Sequence, residues 1–75
     1  MTPDIGFSVA LIRQARGMTQ RELAYRAFTS RSHVSRIEIG VHRPTIACVT
    51  RLAHGLNVPA WVLMRVDECR QELRP

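Results

Sequence analysis

Residues 19–38, Thr19-Gln20-Arg21-Glu22-Leu23-Ala24-Tyr25-Arg26-Ala27-Phe28-Thr29-Ser30-Arg31-Ser32-His33-Val34-Ser35-Arg36-Ile37-Glu38, decide the fold. Thr19 and Glu22 have the spacing of a capping box, in which a hydroxyl and a carboxylate satisfy each other's backbone donors at a helix start. Leu23, Ala24 and Ala27 then recur at helical spacing and form an inner face. Phe28-Thr29 breaks the pattern, and Ser30 is suited to cap a second short helix. Val34 and Ile37 face inward on that helix, which leaves Arg31, Ser32, Ser35 and Arg36 on its other faces. The small Ala24 allows a close crossing. Two short helices with a tight turn, the second carrying arginines and hydroxyls outward, have a shape that fits the major groove of DNA.

The flanking sequence extends the same helical pattern. A first helix is expected from about Asp4 to Arg16, with Val9 and Ile12 inward and Gly17 ending it in the left-handed conformation. Gly40 closes the Ser30–Ile39 helix, and Val41-His42-Arg43-Pro44 is a connector. Thr45 can cap a fourth helix with Ile46, Val49, Leu52 and Ala53 inward, and Asn57 can end it. Pro59 suits the first turn of a fifth helix reaching about Leu73. No stretch alternates as a strand would. The expectation is an all-α, compact five-helix fold over residues 1–75, one domain without repeats or linkers, with the last helix (about 59–73) contributing to dimerisation.

Charge is placed unevenly. The net charge is +5, and all 11 basic residues are arginine, whose planar fork can grip phosphate or guanine in a bidentate way. A GC-rich genome would also favour arginine, so position is more telling than count. Residues 1–55 hold eight arginines against Asp4, Glu22 and Glu38, which accounts for the whole net charge. The positive field lies with the helix pair, as a nucleic-acid footprint requires.

The same residues exclude other classes. Cys48 and Cys69 form neither a disulfide framework nor a Cys-x-x-Cys pair. Cys48 and His54 point in different directions on one helix, so no metal site and no cofactor are expected. No carboxylate pair, activated nucleophile or phosphate loop can be assembled, which argues against an enzyme. The apolar stretch Phe7–Ile12 is too short for a signal sequence or membrane span, so a cytoplasmic protein is expected.

The ordered set of motifs resembles the lambda-repressor-like, Cro/C1-type (XRE-type) helix-turn-helix regulators over roughly residues 5–64. Its markers are Arg13-Gln14-Ala15-Arg16-Gly17, Thr19-Gln20-x-Glu22-Leu23-Ala24, Ser30-Arg31-Ser32-x-Val34-Ser35-Arg36-Ile37-Glu38-x-Gly40, Pro44, and Leu52-Ala53 with Leu56 and Val58. The resemblance implies that the Ser30–Ile39 helix enters the major groove, with Arg31, Ser32, Ser35 and Arg36 reading bases. It makes His33 a further candidate on bases and implies a phosphate contact for Gln20; Ser30, His33 and, from its place in the connector, Arg43 are the other candidates for phosphate. Gln20 also stands at a helix N-terminus, which favours an anion. Arg13 and Glu38 match a pair that forms a buried salt bridge in several members. The chain departs from the family pattern at Phe28, where glycine is common, at Thr29, where a buried aliphatic is common, and at Pro59, where a hydroxyl cap is usual.

A lone module of this size buries only about 600–1,000 Å² on DNA, so a homodimer on a two-fold related operator is expected. Trp61 and Met64 fall outward or at the rim of the last helix and are candidates for the dimer interface. Phe7 and Leu11 form a further apolar pair that either widens the core or receives a protein partner. The implied function is a bacterial, phage- or plasmid-encoded transcriptional repressor that binds double-stranded DNA. The alternatives are an antitoxin and a protein–protein adaptor of the same fold.

Overall fold

In the computed structural model, residues 5–64 are described. Helices α1 (Ile5–Ala15), α2 (Gln20–Arg26), α3 (Arg31–Glu38) and α4 (Ile46–Leu56) are followed by a helical segment over residues 60–64, α5. The described residues contain no strand, and the fold is all-α as the sequence predicts. Asp4 at the expected start of the first helix, and the expected reach of the last helix to Leu73, lie outside the described residues.

Local chemistry sets the helix ends. Thr19 Oγ1 accepts from the Glu22 N–H at 3.0 Å, and Glu22 Oε1 accepts from the Thr19 N–H at 3.1 Å, which completes the capping box. Ser30 and Thr45 cap α3 and α4 by accepting from the His33 and Cys48 N–H groups. The C-termini of α1 to α4 share one closure, in which a residue at or just past the cap turns left-handed and two backbone N–H groups reach back to the last carbonyls. Gly17, Phe28, Gly40 and Asn57 occupy that position, at φ +67°, +58°, +84° and +60°. After α2 the bonds run from Phe28 N–H to the Tyr25 carbonyl and from Thr29 N–H to the Ala24 carbonyl. The backbone thus keeps the glycine-type path with a phenylalanine in it. Phe28 remains 80% exposed, so packing within the chain does not offset the strain.

Val9, Leu23, Val34, Ile37, Leu52, Leu56 and Leu63 are fully buried, and one apolar cluster draws on every helix. Burying each such side chain is worth about 1.5–3 kcal/mol. Helix α2 packs on α3 and α4, and α1 packs across both. Gly6 makes the α1–α3 crossing possible, because a Cβ there would overlap the Ile37 carbonyl oxygen. Gly55 eases the α4–α2 contact, where a Cβ would stand 2.9 Å from Leu23 Cδ1, the end of a side chain that could shift.

Two apolar expectations need correction. Ile46 is 75% exposed and not inward: the first turn of α4 buries Cys48 instead, on the opposite side of the helix. Phe7 and Leu11, more than half exposed, do not widen the core.

Candidate nucleic-acid interface

Helix α3 is anchored from below and presents a concave face above. Val34 and Ile37 seat it in the core, and helical spacing then brings Arg31, Ser32, Ser35 and Arg36 together around a cleft of about 240 Å³. Arg31, Ser32 and Arg36 are exposed, while Ser35 is half-buried. The donors of such a surface suit the hydrogen-bond acceptors of base edges. Arginine can bond both O6 and N7 of guanine, and a serine hydroxyl serves as donor or acceptor. The four residues expected to read bases thus share one surface.

A charged brace holds the far end of α3. Arg13 Nε donates to Glu38 Oε2 at 2.7 Å and a terminal Arg13 nitrogen donates to Glu38 Oε1 at 3.2 Å, with only 12% and 6% of the two side chains exposed. Arg13 also donates to the Met18 carbonyl at 2.7 Å. Gln20 Nε2 donates to Glu38 Oε1 at 2.9 Å. The Gln20 amide, expected on phosphate, is therefore turned to Glu38 and ties the start of α2 to the end of α3. That tie links residues 18 apart and has no local sequence signal.

His33, expected on phosphate, is held by partners within the protein. Its Nδ1 lies 2.9 Å from Thr29 Oγ1, and its ring meets the His42 ring edge to face at 4.8 Å between centroids. The imidazole is turned toward Thr29 and His42. Burial holds its pKa below the ordinary 6.5, and the His42, Arg51 and Arg36 charges act in the same direction. Thr29, which departs from a usual aliphatic, finds its partner in this ring. His42 of the connector forms the other half of the pair.

The remaining expected positions lie at the periphery. Ser30 accepts from the His33 N–H, which leaves its own hydroxyl hydrogen available, and Arg43 is exposed in the connector. Trp61 is 59% exposed, while Met64 is partly buried against the core. Among the described residues no three His, Cys, Asp or Glu side chains form a metal site, and no helix is long and apolar enough to cross a membrane.

The braced helix pair with a cationic outer face defines a DNA-binding helix-turn-helix regulator of the Cro/C1 type. A family profile described as a helix-turn-helix domain matches residues 4–62, and the chain belongs to that family. Its fold is similar to the wild-type restriction–modification controller protein C.Esp1396I, with 29% identity and a TM-score of 0.77, covering 91% of this chain and 90% of that one. It is similar as well to SinR, the master regulator for biofilm formation, solved in complex with DNA. Identity there is 28% and the TM-score 0.74, over 80% of this chain and 97% of that one. The clp gene regulator ClgR from C. glutamicum shares the fold at 21% identity and a TM-score of 0.78, over 93% of this chain and 91% of that one. No curated protein sequence gives a significant match.

Proposed function

We propose that the chain is a sequence-specific operator-binding regulator that acts as a homodimeric repressor, with α3 in the major groove. The observation that carries this reading is the convergence of Arg31, Ser32, Ser35 and Arg36 on one cleft of a helix braced at its far end. Likeness to SinR, which was solved on DNA, supports the groove as the destination of that face. Ser30 and Arg43 contact flanking phosphates. Trp61, a large exposed aromatic with Met64 beside it at the rim, anchors the two-fold contact. Repression by occupying a promoter needs no more than these two surfaces.

Selection from random duplex DNA, repeated with Arg31→Ala and Arg36→Ala, tests the reading. Wild type is expected to enrich a two-fold motif with at least one G·C pair per half-site. Each substitution is expected to relax one position, at a cost of about 1–3 kcal/mol. No enriched motif, or a motif unchanged by both substitutions, would refute specific reading. Sedimentation of Trp61→Ala tests the dimer, which is expected to dissociate at a higher concentration than wild type.

Phe7 and Leu11, exposed on α1, support a second protein contact. A separate polypeptide that co-purifies with wild type and is lost with Leu11→Ser would identify that contact.

A further inference from the structure

Among the described residues, Nε2 of His33 is a buried side-chain polar atom without a hydrogen-bond partner. An orphan of this kind needs a reason, because a buried polar atom without a bond is costly. The reason lies in the surroundings. Thr29 in the turn holds Nδ1, His42 of the connector packs on the ring, and Arg36 of α3 and Arg51 of α4 add positive charge. No acid stands among these neighbours.

We propose that the His33–His42 pair is a proton-sensitive latch that positions α3. With a neutral His33 the ring closes the turn, α3 and the connector into one unit. A proton taken up from solvent forces the ring out and unseats the reading helix. The inference rests on the DNA-reading proposal above and adds a regulatory variable to it.

Only a neutral ring fits the closed arrangement. Neutral imidazole carries one N–H, and Thr29 can complement Nδ1 as donor or acceptor. The imidazolium carries two, so Nε2–H would sit buried, unbonded and charged beside Arg36, Arg51 and His42. The depressed pKa of His33 agrees with this geometry. A histidine whose pKa is lowered by folding contributes stability that is present above pH 6.5 and is lost as the pH falls through the lowered value. DNA phosphates favour a cation on an outward-facing histidine, but this ring must first leave its site. Affinity therefore falls on acidification.

The test uses the full chain and a duplex selected by it from a random pool at about pH 7.5. Wild-type Kd is expected to rise at least about threefold from pH 7.5 to pH 5.5, with uptake of close to one proton. His33→Asn keeps an acceptor where Nδ1 stands and cannot titrate, so its profile is expected to be flat whatever its absolute affinity. His42→Asn removes one charge that opposes the protonated ring and is expected to move the loss to higher pH; it carries the test if His33→Asn does not fold. An NMR titration of the His33 ring is expected to show the same midpoint as the loss of affinity in the free protein. A flat wild-type profile, or a His33→Asn profile that keeps the slope, would overturn the latch while leaving DNA reading intact. Failure to enrich any duplex would overturn both.

Discussion

At φ +58° the Cβ of Phe28 crowds the following carbonyl, a cost of roughly 1–2 kcal/mol that glycine escapes. Glycine brings its own penalty in the unfolded chain, about 0.5–1 kcal/mol. Because the ring is exposed, little burial is lost on removing it. Phe28→Gly is therefore expected to raise stability by about 0.5–1 kcal/mol, a melting shift of some 2–8 °C upward. A thermal melt showing a decrease would mean that the ring packs more than its exposure indicates. From the sequence, a phenylalanine in a glycine position could mean a rerouted turn or a strained residue. The two differ by only a few kcal/mol, and local pattern does not choose between them. The hydrogen bonds from Phe28 and Thr29 back to α2 make the choice.

At the scale of elements, the caps were legible and the braces only partly so. Thr19, Ser30, Thr45, Gly17, Gly40 and Asn57 act within a few residues of their partners, so spacing alone announced them. The Arg13–Glu38 pair joins α1 to α3 across 25 positions and was suggested only by resemblance. The phosphate contacts expected of Gln20 and His33 rest on resemblance, and for Gln20 also on its place at a helix N-terminus, neither of which specifies the side chain's partners within the fold. Each instead found a partner that the fold supplies, Glu38 in one case and Thr29 with His42 in the other. Glu38→Ala removes the acceptor for both Arg13 and Gln20. Unfolding in urea is expected to show a loss of about 2–4 kcal/mol, near the cost of breaking one partner of a buried pair. Glu38→Gln, which keeps the shape, is expected to lose less than Glu38→Ala.

Over the whole molecule, the excess positive charge falls within residues 1–55, the part that holds the proposed reading face. Binding to DNA should therefore weaken linearly in log Kd against log salt, by a slope of about 0.9 per phosphate neutralised. Arg43→Ala is expected to lower that slope by about one and to leave the preferred motif unchanged, which separates it from Arg31 and Arg36. An unaltered slope would remove Arg43 from the phosphate set. The class of fold followed from periodicity because α-helical spacing is local. The exposure of single apolar side chains did not, because Ile46 has the i, i+3, i+7 spacing of the buried Val49 and Ala53. Exposure there is set by where the neighbouring helices end.

The crossing of α1 over α3 carries a genetic consequence. Any single-base change in a glycine codon that alters the amino acid installs a residue with a Cβ. At position 6 every such change drives a carbon into the Ile37 carbonyl, at the end of the helix that bears Arg31 and Arg36. Gly6 has no silent neighbour in protein sequence space. In a saturation library selected for function, position 6 should stand as empty as Arg31 and Arg36, though it lies in α1 rather than on α3.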